Sequence, residues 1–212
     1  MEFTADQVWG AAVAADRINE GYFKEDQWMH NATPPFLSKK ANKALVKEWL
    51  RTGNFSEVTE EDIAQGQEIR NYIKTWLMRQ LTGQISEFES QALKLANKEA
   101  FTGRDMYDFA VISCLPNSVR VDKKKVDLNR EIRISEPLEG DIGTAIVGEI
   151  VVMNCRWSVQ YGKYRITARM NESVVDFWTD KDFPEGTTAK IKAKIKAHRG
   201  DNTTQLNYVK KA

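Results

Sequence analysis

Between Ala189 and His198 two kinds of residue alternate: Ala189, Ile191, Ala193, Ile195 and Ala197 are interleaved with Lys190, Lys192, Lys194, Lys196 and His198. An extended chain turns successive side chains to opposite faces. The stretch therefore predicts one strand with an apolar inner face and an outer row of ammonium groups, one every ~6.6–6.8 Å. Charges at that interval suit the phosphates of a stretched nucleic-acid strand, whose neutralisation supplies much of such affinity. Lysines also guard exposed edge strands against pairing with other chains. Both uses of the row stay open on the sequence.

Rings and guanidinium groups gather in the same part of the chain: Trp157, Tyr161, Tyr164, Phe177, Trp178 and Tyr208, with Arg156, Arg165 and Arg169 among them. Single-strand binding needs this combination, because a cationic groove tracks the backbone and every base has a face that a ring can cover. The candidate nucleic-acid-binding set is therefore Lys190, Lys192, Lys194, Lys196, Arg165, Arg169, Trp157, Tyr164 and Trp178. Phe177 and Trp178 are adjacent and must lie on opposite faces, so one of them belongs to the core. Catalysis finds less support. The chain has no glycine-rich phosphate loop and no Cys or His at metal spacing, and His30 and His198 stand alone. Acid pairs such as Glu60-Glu61 and Glu87 with Glu89 suit helix starts and solvated faces. The expectation is a non-catalytic protein with no cofactor and no metal.

These residues need a β-rich frame, and the second half of the chain supplies its pattern. Strands are expected over 145–161, 164–170, 174–179, 187–197 and 204–210, with turns at Gly162-Lys163, 171–173, 180–186 and 200–202. A long first strand, a tight hairpin, a third strand, a longer connection and a closing hairpin follow the order of a small five-stranded OB-like barrel. The helix usual between its third and fourth strands would be reduced to 180–186.

The first half reads as a bundle of about five helices. Thr4 with Gln7 has the spacing of a capping box, and Val8, Ala11, Ala12, Ala15 and Ile18 share a face before Gly21. An aromatic-bearing loop, broken at Asn31 and Pro34-Pro35, follows. Ser38 is expected to cap a second helix ending at Gly53, and Thr59 a long one with Ile69, Ile73, Trp76 and Leu77 on one side as far as Gly83. Helices are expected over 86–97 and 102–113. The fold class is thus α+β: a helical domain over 1–116, a linker or extra strand over 117–143 containing Lys123-Lys124-Lys125, and an OB-like β domain over 144–212.

The overall charge of +1 says little of partners, but its distribution says more. From Thr187 onward Lys190, Lys192, Lys194, Lys196, Arg199, Lys210 and Lys211 face Asp201 alone. No apolar run approaches the ~18 residues of a membrane helix. Met1-Glu2-Phe3-Thr4 lacks a secretory leader's basic and apolar regions. No membrane and a cytoplasmic location are expected. Cys114 and Cys155, far apart, are expected to be buried free thiols.

A resemblance adds to this reading. Tyr161-Gly-Lys-Tyr-Arg-Ile-Thr-Ala168, Val175-Asp-Phe-Trp178, the alternating lysine strand and Thr204-Gln-Leu-Asn-Tyr-Val209 together resemble an OB-like module of bacteriophage replication and recombination-associated proteins. The likeness covers the C-terminal third; the short loop at Gly200 departs from the longer one of that family. The helical half resembles uncharacterised phage proteins and implies no function. The resemblance implies a single-stranded DNA-binding protein accessory to replication, recombination or transcription, its helical half serving self-association or docking to a replication or transcription protein. The competing class is a module that grips a host or viral protein without nucleic acid; the near-neutral charge favours it.

Overall fold

The computed structural model describes residues 1–29, 34 and 36–212. His30, Asn31 and Pro35, singled out above, lie outside the described residues. The chain divides into two units, Met1–Lys123 and Lys124–Ala212.

In chain order the first unit holds β1 (Glu2–Thr4), α1 (Ala5–Ile18), β2 (Gln27–Met29), β3 (Phe36–Lys39), α2 (Asn42–Thr52), α3 (Glu60–Lys74), α4 (Leu77–Leu81), α5 (Glu87–Ala96), β4 (Ala100–Thr102) and α6 (Met106–Ile112). The next helix, α7 (Leu115–Ile134), begins there and runs past the division. Helices α1, α3 and α5 open on full capping boxes, Thr4 with Gln7, Thr59 with Asp62 and Ser86 with Glu89, which satisfy amides that have no partner inside the helix. Buried alanines on α1 let α3 approach closely. A Cβ on Gly66 would stand 2.9 Å from the carbonyl carbon of Trp9, and one on Gly10 2.9 Å from Ile63. Asp62 does double duty here: it accepts from Thr59 N and Oγ1 at the cap and from Arg17 Nε at 2.9 Å and Nη2 at 2.8 Å, fastening the end of α1 to the start of α3.

Several expectations fail in this unit for local reasons. Ser38 does not cap α2; it sits in β3, donating to the Gln27 carbonyl, and α2 opens at Ala41 without a side-chain cap. The long helix from Thr59 stops at Lys74, where the Thr75 hydroxyl donates to the Tyr72 carbonyl at 2.6 Å and tighter turns replace the ladder. In the aromatic segment β2 pairs antiparallel with β3, and β1 pairs with β4. Residues 117–134, read as linker or extra strand, are helical. Pro116 lies in the first turn of α7, where a missing N–H costs nothing. Cys114 and Cys155 are free but only partly buried.

The second unit is built on β5 (Ala145–Ser158), β6 (Lys163–Met170), β7 (Ser173–Thr179), β8 (Thr188–His198) and β9 (Thr203–Lys211), closed into a barrel in the order β5-β6-β7-β9-β8. The β7–β9 pair is parallel and the others antiparallel. This closed five-strand barrel is compatible with an OB-like fold. Ile150, Val152, Ile166, Ala168, Val175, Phe177, Ile191, Ala193, Ile195 and Leu206 fill it. Residues 180–186 carry no helix; from them Phe183 packs edge-on against Phe177, ring centres 5.8 Å apart.

Candidate nucleic-acid interface

The alternation in β8 is realised residue by residue. Ile191, Ala193 and Ile195 are buried, while Lys190, Lys192, Lys194 and Lys196 are exposed on the outer face. Strand β8 pairs with β5 through residues 188–194 and with β9 through residues 191–198. It is not an edge, so guarding one cannot account for its lysines. Among the described residues none of the four lies within ion-pair distance of a carboxylate, although Glu149 is the cross-strand neighbour of Lys190. Lys210 stands opposite Lys192 and widens the row.

His198, which follows the lysines on the outer parity, is tied to the fold through both ring nitrogens. Its Nε2 lies 2.9 Å from the Gly140 carbonyl and its Nδ1 3.2 Å from Thr204 Oγ1, which accepts from Leu138 N.

One residue outside the candidate set joins the lysines. Between Asn207, opposite Lys194, and Lys210, opposite Lys192, β9 carries an extra residue. Tyr208 takes the left-handed conformation there, φ 54°, and its side chain is 75 % exposed. Bulges re-aim side chains, and a bulky residue at positive φ is a strained exception that costs about 1–3 kcal/mol. The sequence held one signal. Regular alternation from buried Leu206 would send Lys210 inward, which a lysine resists; an inserted residue turns Val209 to the core and Lys210 out.

The remaining candidates lie elsewhere on the barrel. Cross-strand register aligns Arg156, Arg165 and Trp178 over β5, β6 and β7. Tyr161 packs edge-on to Trp178, 5.0 Å between centres, and Trp157 edge-on to Tyr164 at 4.8 Å. Trp157 is half exposed; Tyr164 is partly buried against the core. Phe177 is wholly buried and Trp178 is not, so Phe177 is the core member of that adjacent pair.

Arg165 and Arg169 are engaged. Arg165 Nη2 reaches Asp176 Oδ2 at 3.4 Å, and Arg199 reaches the same oxygen at 3.2 Å. Asp176 is 2 % exposed and its Oδ1 has no partner. Burial pushes its carboxyl above the usual range, more than the two guanidinium groups pull it down. Arg169 pairs at 3.7 Å with Glu131 of α7 and stands opposite Val151, whose other neighbour is Thr188, two residues before Lys190. The nine candidates thus fall into a lysine row on β8, Arg165 with Trp178 on the outer face of β6 and β7, Trp157 with Tyr164 on the opposite face of β5 and β6, and Arg169 beside Glu131.

Among the described residues no helix is long and apolar enough to cross a membrane, and no group of three or more His, Cys, Asp or Glu could hold a metal ion. Compared with models of protein families, with curated proteins and with solved structures, the chain matches none.

Proposed function

We propose that the barrel binds a single-stranded nucleic acid along the outer face of β8, without catalysis, DNA being the one that the resemblance implies. The carrying observation is the row Lys190, Lys192, Lys194 and Lys196, exposed on a strand paired on both sides. Free ammonium groups at strand spacing track a phosphate backbone, and the exposed ring of Tyr208 beside them offers a base a stacking surface. Arg165 and Trp178 would meet a strand on a second stretch of the barrel's outer face, and Trp157 and Tyr164 from the opposite face. Arg169, held by Glu131, takes the smallest part.

An accessory role in phage replication, recombination or transcription rests on the resemblance alone. The rival reading, a protein-interaction module, is favoured by the exposed Leu77, Met78 and Leu81 on α4, an apolar surface suited to self-association or to a replication or transcription protein. The test is fluorescence anisotropy of a labelled oligodeoxynucleotide with the full chain and with a variant carrying Lys190→Glu, Lys192→Glu, Lys194→Glu and Lys196→Glu. Salt-sensitive binding lost in the variant is expected. Absence of binding at low salt would overturn the reading and leave the protein-interaction class.

A further inference from the structure

In the first unit a cavity of about 390 Å³ opens where the C-terminal half of α2, strand β1 and the start of α6 meet, lined by Met1, Phe3, Lys47, Leu50, Arg51, Gly103, Met106 and Phe109. Its apolar lining is of two kinds. Phe3, Leu50 and Phe109 are core residues, almost wholly buried, whereas Met1 and Met106 are large apolar side chains left exposed. Methionine is unbranched and polarizable, so walls of this kind adapt to an irregular or flexible guest.

The polar lining is narrower still. Of the lining side chains only Lys47 and Arg51 carry nitrogen or oxygen, and both are cations, one turn apart on α2. The carboxylate nearest in sequence, Glu48, is held by Lys40 at 2.7 Å. Among the described residues neither Lys47 nor Arg51 has an ion-pair partner. The cavity therefore offers an apolar body and a cationic side, with no neutral hydrogen-bonding side chain to orient a polar guest. Its volume falls near the low end of the ~300–1,000 Å³ typical of small-molecule sites, which suits one compact molecule.

We propose that this cavity binds an amphipathic monocarboxylate, an alkyl chain that lies against Met1, Phe3, Leu50, Met106 and Phe109 with its carboxylate at Lys47 and Arg51. Every lining residue named belongs to the first unit. The guanidinium takes a carboxylate through paired N–H donors, and the ammonium adds a second charge.

The test uses the full chain labelled with 13C at the methionine methyl groups, titrated with dodecanoate and, as the control of opposite charge, dodecyltrimethylammonium. Dodecanoate should shift the Met1 and Met106 signals and leave those of Met153 and Met170 in place. Lys47→Glu with Arg51→Glu should weaken dodecanoate by at least about tenfold and favour the ammonium control, since each charged contact removed is of that order. Met106→Trp, which fills the cavity from its exposed wall, should abolish the shift at Met1 while the unfolding midpoint holds. Equal response to both detergents, shifts spread over all methionines, or none with dodecanoate would overturn the proposal.

Discussion

The lysine row makes a quantitative prediction for salt. From Lys190 to Lys196 the strand advances six residues, about 20 Å, with an ammonium group at each second step. Each phosphate of a single strand that a lysine neutralises contributes about −0.7 to the slope of log K against log salt. Four contacts give a slope near −2.8, or about 50-fold weaker binding between 50 and 200 mM salt. Engagement of Lys210 would add a further ~0.7. Conversion of a single member, Lys192→Gln, should lower the slope by about 0.7 and leave the rest intact, because the inner residues Ile191 and Ala193 that hold the strand are untouched. The assay is anisotropy of a labelled oligonucleotide at a series of salt concentrations, with the full chain and each single variant. A full-chain slope shallower than about −1, or a Lys192→Gln slope equal to that of the unaltered chain, would refute the row as a phosphate track.

Other consequences are as direct. Tyr208→Gly should leave the barrel as stable as before or up to ~1 kcal/mol more stable by relieving the left-handed backbone, yet weaken strand binding about tenfold by removing the stacking ring; unfolding and anisotropy on one sample separate the two effects. Gly66→Ala should destabilise the first unit by ~1–3 kcal/mol despite alanine's better helix propensity, because its Cβ meets the Trp9 backbone; a raised unfolding midpoint would contradict the close α1–α3 approach. Asp62 and Asp176 should respond to acid in opposite directions. Burial raises the Asp62 carboxyl, but the Arg17 and Thr59 hydrogen bonds more than offset it and hold the group below its ordinary value, so its stabilisation is lost as pH falls through that lowered value. Asp176 in the fold keeps its proton to higher pH than in the unfolded chain, so its contribution to stability grows as pH falls through its raised value. Carboxyl NMR titration checks both, and an Asp176 that ionises below the usual range would contradict its desolvation.

The sequence carried what depends on short-range alternation and on caps. Ile191, Ala193 and Ile195 against their lysines marked β8 because period two is unbroken there, and Thr4 and Thr59 marked helix starts because hydroxyl and acid or amide stand at capping distance. Features that depend on distant partners stayed hidden. Strands β1 and β4, three residues each, exist only because Phe3 and Phe101 meet across nearly a hundred residues. Helix α7 lacks one continuous apolar stripe: Val119 belongs to the core of the first unit, while Leu128 lies beside Val151 and Met153 in the second. The site was legible only as a list. Arg165 and the lysines share a domain and a charge, but Asp176, whose burial comes from the closed barrel, claims the arginine. For Tyr208 the inward-falling Lys210 was the one trace in the sequence, and its place beside Lys192 and Lys194 follows from the register of β8 against β9.

Double pairing of β8 also bears on how such a surface changes over generations. Folding depends on the inward alternate residues and on backbone pairing to β5 and β9, none of which involves the ammonium groups. Substitutions at positions 190, 192, 194 and 196 are therefore close to neutral for the fold, and they uncover no strand edge that could recruit another chain. The outer face can therefore trade charge for polarity or take a different partner one substitution at a time, while the strand that presents it keeps its pairing and its buried face.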